Sequence, residues 1–136
     1  MTSKVSIQSL NPPGLAKPMG YSHAVVAETG RTIYIGGQNA IDENGALVGG
    51  DDLGKQSEKI LENIGKILKS AGGDLDNLVK LNIYLKQGQN PMAGFQAFQK
   101  WWGKRETSPA VTVVFVAGLG HPDWLAEIDG IAILTE

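Results

Sequence analysis

The stretch Ser108–Leu119, SPAVTVVFVAGL, constrains the fold of this chain more than any other. Pro109 fixes the entry and Gly118 lets the chain leave. Between them run Val111, Thr112, Val113, Val114, Phe115 and Val116, with almost no polar interruption. Strong β-formers that do not alternate with polar residues predict a central strand covered on both faces. The Pro109 end of such a strand is the place to look for a site.

The rest of the chain supplies elements to surround that strand. Val5, Ile7 and Leu10 are spaced for a short strand, which Asn11-Pro12-Pro13-Gly14 ends. Tyr21–Ala27 and Thr32–Gln38 are β-rich and flank the turn Glu28-Thr29-Gly30-Arg31, a pattern that predicts a β-hairpin. Gly36-Gly37 near its end predicts a bulge or a close approach of backbone to a ligand. After the turn-rich Ile41–Gly50 comes a helix with Asp51 or Asp52 as cap and Gly72-Gly73 as its stop. Leu53, Ile60, Leu61, Ile64, Ile67, Leu68 and Ala71 form its apolar face. Glu62 and Lys66 are ordered for an i,i+4 pair on the other.

Leu78–Leu85 reads as a strand, and Asn90-Pro91 as the cap and first position of a second helix. Its apolar stripe is Met92, Phe95, Phe98 and Trp102. Ala126–Leu134 is the last strand. The order β-β-α-β-α-β-β, with one strand possible before it, predicts a two-layer α/β sandwich with both helices on one face of a mixed sheet. Two helices leave the second face of Val111–Val116 without cover. Copies of the chain packed sheet against sheet in a closed homo-oligomer would provide it.

With 136 residues the chain is sized for a single domain, residues 1–136. A net charge of −2 argues against a nucleic-acid or anionic-membrane partner. The absence of cysteine excludes disulfides, thiol nucleophiles and thiolate metal sites. The first residues lack the apolar core of a signal peptide, and no apolar run approaches the ~20 residues that span a bilayer. A soluble, cytoplasmic protein is expected.

Several motifs yield to plainer readings. Gly49–Gln56, GGDDLGKQ, fits the phosphate-loop spacing. Yet Gln56 replaces the magnesium-holding hydroxyl, and Asp51 and Asp52 would oppose phosphate, so a capping turn is expected. His23 and His121, the two histidines, have no third ligand at a matching spacing, and no metal is expected. Trp101 and Trp102 fall at helical spacing from Phe98 without a basic stripe, which fits core and interface better than base stacking. Glu127 and Asp129, two apart on the last strand, share a face. A carboxylate beside the middle of a sheet is costly to bury unless paired, and Glu127 is the candidate for acid/base chemistry.

Six blocks together carry a family resemblance: Gly20-Tyr21-Ser22-His23-Ala24, Ile33–Gln38, the helix from Gln56, Asp76–Leu85, Ser108-Pro109-Ala110 and Glu127–Ala132. In order and spacing, over nearly the whole chain, they resemble the Rid (reactive intermediate deaminase, or YjgF) family. The resemblance implies a chorismate-mutase-like fold, a homotrimer with its sheets packed inward, and three clefts between neighbouring subunits that bind small molecules. It also implies cofactor-free hydrolysis of enamines and imines such as 2-aminoacrylate. In that chemistry an arginine grips the substrate carboxylate and a glutamate steers water. Tyr21, Gly36, Gly37 and Glu127 match the family pattern.

Where the family motif reads Pro-Ala-Arg, this chain reads Pro109-Ala110-Val111-Thr112, and a helix asparagine becomes Phe95. Losing a charge-assisted bidentate contact removes roughly 2–5 kcal/mol of carboxylate binding. Lys80, Lys104 and Arg105 are the cations that could replace it, none at the matching position. The expectation is therefore a hydrolase for a different, more apolar enamine or imine. Glu127 would be catalytic; Tyr21, Gly36, Gly37, Phe95, Ala110, Val111 and Thr112 would line the ligand, and no cofactor would be needed. A non-catalytic ligand-binding trimer is the alternative, and a nuclease or translation inhibitor a weaker one.

Overall fold

The strand Ala126–Leu134 buries every second residue, and the sheet is built outward from it. The computed structural model describes residues 7–18, 20–28, 30–105 and 107–134. In chain order the elements are β1 (Ile7–Leu10), β2 (Ala24–Ala27), β3 (Arg31–Gln38), α1 (Leu53–Ser70), β4 (Leu78–Lys86), α2 (Pro91–Trp102), β5 (Ala110–Val116) and β6 (Ala126–Leu134). Strands β3-β6-β4-β5 form one mixed sheet: β6 runs antiparallel to both neighbours, and β4 and β5 are parallel. Both helices pack on the same face, giving the expected mixed α+β architecture.

Two strand expectations are corrected. The strand Val111–Val116 is the edge of the sheet, not its centre. Its side chains are only partly covered within one chain, with Val113 49%, Val114 40% and Phe115 50% exposed. The continuous apolar run is real, but α2 stands off from it and no strand of the described residues flanks its outer edge. The hairpin between Tyr21–Ala27 and Thr32–Gln38 does not form. β2 begins at Ala24 and pairs with β1, while β3 crosses to β6. Two β-rich segments around a turn look alike whether they pair with each other or with distant strands. Val5 and Thr29 lie outside the described residues.

The expected bulge is present, as a register shift between Ile35 and Gln38 across from β6. The core is Ile60, Leu61, Ile64 and Leu68 of α1 against Leu81, Leu85, Ile128 and Ala132 of the sheet. Asp52 caps α1, its carboxylate accepting from the Lys55 N–H at 3.1 Å. Gly49, at φ +101, could carry no side chain, because a Cβ there would lie 2.8 Å from the Gln56 nitrogen. The phosphate-loop-like stretch is thus a tight capping turn. Glu62 meets Lys66 at 3.2 Å, an exposed pair of the kind that contributes only a few tenths of a kcal/mol. Asn90 and Pro91 begin α2 as expected, and Gly103 at φ +70 ends it.

The apolar face of α1 holds one residue that hydrophobicity does not reveal. Gln56 is fully buried. Its amide donates to the Gly50 and Asp123 carbonyls (2.6 and 2.9 Å) and accepts from the Leu125 N–H (2.9 Å). It ties the start of α1 to the loop entering β6, satisfying polar groups the packing takes out of water.

Candidate functional site

Ala110 opens β5, and its position is fixed from the N-terminal side. Ser22 is buried, bridges to Ala110, and donates its N–H to the Pro109 carbonyl at 3.0 Å. Its hydroxyl bonds to Ser9 at 2.8 Å and to the Ser108 carbonyl. These bonds lash the β1–β2 ribbon to the start of β5 and bring Tyr21 beside it. Tyr21 is in turn edge-on to His23, whose Nε2 donates to the Ala16 carbonyl at 2.6 Å.

Here, between α2 and the β4–β5 side of the sheet, lies a cavity of about 460 Å³. Tyr21 and Gly20 form one rim, Met92, Phe95 and Phe98 of α2 another, and Val111, Val113 and Phe115 of β5 the floor. Leu61 and Ser57 of α1 and Ile83, Leu85, Ala126 and Ile128 of the sheet close the back. Gly20, at φ +79, puts backbone against the Phe95 ring, where a Cβ would sit 3.5 Å away. Met92 and Phe95, expected in the helix's buried stripe, are instead partly exposed at this mouth, while Phe98 and Trp102 carry the packing. Among the described residues the lining holds no charged side chain, and its side-chain polar groups are the hydroxyls of Tyr21 and Ser57.

Three of the expected ligand residues, Tyr21, Phe95 and Val111, thus converge. The others do not join them. Strand register places Val111 in line with Leu81, and Thr112 in line with Asn82 and Asp129. Val111 therefore faces the helices, while Thr112, Asp129 and Glu127 face the other side of the sheet. Glu127 and Val111 thus do not share one chain's pocket, because they lie on opposite faces of the sheet. Ala110 is held in the Ser22 bridge, and Thr112 accepts from the Lys80 ammonium at 2.7 Å.

On that second face Glu127 is partly buried, and its carboxylate accepts from the Asn39 amide at 3.2 Å. Asn39 is buried and also donates to the Ala126 carbonyl at 3.1 Å. Gly37 makes the space: a Cβ there would run into the Glu127 carboxylate. Gly36, its neighbour in the bulge, faces open space. Beside them Asn82 donates to Asp129 at 2.7 Å, and Tyr84 donates to its other oxygen at 3.0 Å. The Asp129 bond, with smaller contributions from burial and the nearby carboxylate charges, holds the Tyr84 phenol above its ordinary pKa.

Asn39, Asn82 and Tyr84 escaped sequence reasoning. The last two were findable, because β4 alternates and puts them on the face of Glu127 and Asp129. Asn39 follows the bulge, where the period-2 signal is lost.

The candidate cations are engaged elsewhere. Arg105 forms an ion pair with Asp76, donates to the Trp102 carbonyl at 3.1 Å and lies over the Trp102 ring. Lys80 is on the Thr112 face. Lys104 lines a separate open depression with Trp101, Trp102 and Asp76.

The model of the family described as Endoribonuclease L-PSP matches residues 14–134. A RutC family protein of Pyrococcus abyssi is 36% identical over 118 residues, covering 85% of this chain and 88% of that protein. A 2-iminobutanoate/2-iminopropanoate deaminase of Capra hircus is 35% identical over 114 residues, 83% of this chain and 79% of that one. Among solved structures, a conserved Rid family protein of unknown function from Yersinia pestis superposes with a TM-score of 0.85 at 33% identity. It covers 94% of this chain and 98% of its own. RidA from an Antarctic Psychrobacter gives 0.68 at 33% identity, over 88% and 92%.

Proposed function

The chain belongs to the Endoribonuclease L-PSP family, which includes the Rid and RutC proteins, and from that premise we propose that it is a cofactor-free hydrolase of an enamine or imine other than 2-aminoacrylate. The observation that carries this reading is convergence. Tyr21, Phe95 and Val111, far apart in the chain, line one cavity of about 460 Å³, a size typical of small-molecule sites.

The reaction is acid–base hydrolysis. An enamine first tautomerises to the imine. Water then adds to the carbon of the C=N bond, giving a proton to a carboxylate. The carboxyl returns that proton to the nitrogen, giving a carbinolamine; the hydroxyl proton then passes to the same nitrogen as the C–N bond breaks, so ammonia leaves and a carbonyl remains. In this reading Glu127, which is anchored by Asn39 and given room by Gly37, holds the water and shuttles the proton. Because Glu127 and the cavity lie on opposite faces of one sheet, the working site takes its cavity from one copy and Glu127 from another. The exposed Val114 and Tyr34, on the Glu127 side of the sheet, belong to the surface such copies would bury, in a homotrimer.

A second reading, a trimer that binds a small ligand without turning it over, is favoured by the absence of a cation from the cavity lining. One experiment separates the two. A panel of carboxylate-free imines, generated from aromatic amines by a flavin-dependent amine oxidase, is screened for accelerated carbonyl release, by the native protein and by Glu127→Gln. The hydrolase reading expects acceleration by the native chain and its loss in the variant, with the oligomer intact. Ligand-induced thermal shifts without acceleration would establish the binding reading instead.

A further inference from the structure

The cavity beside Val111 is large, aromatic and uncharged. We propose that it selects an uncharged, planar aromatic molecule and discriminates against the carboxylate of the same shape. This rests on the reading of that cavity as the ligand site and adds to it the class of molecule admitted.

Three observations carry the inference. First, the walls supply rings on several sides, from Tyr21, Phe95, Phe98 and Phe115, and ring–ring contact favours a flat aromatic guest. Second, the side chains that β5 turns into the cavity, Val111, Val113 and Phe115, are all apolar. An anion there would give up water for an aliphatic side chain, a transfer that is unfavourable without a paired donor. Third, three cations of the same part of the chain are engaged elsewhere: Arg105 with Asp76, Lys80 with Thr112 across the sheet, and Lys86 with the Pro122 carbonyl at 2.8 Å. The hydroxyls of Tyr21 and Ser57 suit one neutral polar group, such as an amide, a carbonyl or an imine nitrogen.

The test uses two probes of one shape and different charge, trans-cinnamamide and trans-cinnamate, titrated into the full chain in its native assembly. Binding is followed by calorimetry and by the methyl NMR signals of Met92, Val111 and Val113. The amide is expected to bind about tenfold or more tightly than the acid, with all three methyl signals moving. In Val111→Arg the order is expected to reverse. Should that variant fail to fold, the amide-to-acid ratio of the native protein and its loss in Phe95→Ala decide the matter. Equal or tighter binding of the cinnamate, or no binding of either probe because a neighbouring copy fills the cavity, would overturn the proposal. The amide preference without acceleration of any imine by the native chain would sink the hydrolase reading alone.

Discussion

Glu127 and Val111 point to opposite faces of one sheet, with strand β4 between the strands that carry them. No rotamer of either brings the two together within a chain. The carboxylate and the apolar cavity become one site only if copies assemble. Charging the assembly surface should therefore separate them. Val114→Asp, at a position already 40% exposed in a single chain, should cost the isolated fold under about 1 kcal/mol. Light scattering after gel filtration should show the native chain as a trimer and this variant as a smaller species. A monomeric native chain would remove the shared site.

Gly37→Ala probes Glu127 without touching it. The added methyl collides with the carboxylate end of a flexible side chain, so Glu127 swings away from Asn39 rather than the sheet breaking. The thermal midpoint should fall only slightly, by less than about 1–3 kcal/mol equivalent. Any imine hydrolysis should fall as far as in Glu127→Gln. Retained activity with a displaced Glu127 would take the carboxylate out of the chemistry.

Gln56→Leu should destabilise the fold. It leaves the Gly50 and Asp123 carbonyls and the Leu125 N–H without their partner, and of these Leu125 lies buried. An unpaired buried group costs about 1–3 kcal/mol, while the two exposed carbonyls can turn to water, so the expected loss is about 1–3 kcal/mol. A denaturant midpoint within error of the native one would show that the loop before β6 finds other donors.

Tyr84 gives an alkaline signature. Its pKa in the folded chain lies above the usual 10.0, chiefly because it donates to Asp129. The protonated phenol is the favoured form on folding. That contribution is complete below the unfolded pKa and is lost as pH rises through the higher folded value. Absorbance titration near 295 nm should show one late-titrating tyrosine that disappears in Tyr84→Phe and moves down in Asp129→Asn. Its persistence in Asp129→Asn would assign the shift to burial.

The sequence made the order of elements legible, along with both helix caps, the bulge at Gly36-Gly37 and the last strand, because each rests on a local signal. What stayed hidden was pairing. An apolar run such as Val111–Val116 reads the same in the middle of a sheet as at an edge that another molecule covers. The cavity was legible only in part: Tyr21, Phe95 and Val111 were picked out by resemblance. Its other walls, Met92, Val113 and Phe115, looked like core. Asn39 was invisible because a bulge resets the alternation that would have aimed it.

The central claim is that an aliphatic Val111 has replaced the cationic grip on small carboxylates, and 2-aminoacrylate tests it directly. Generated in place by a serine or cysteine lyase, it decays spontaneously to pyruvate and ammonia. Pyruvate release with the native chain should match that spontaneous rate. Release well above it would mean that the carboxylate is held after all, and would contradict the account.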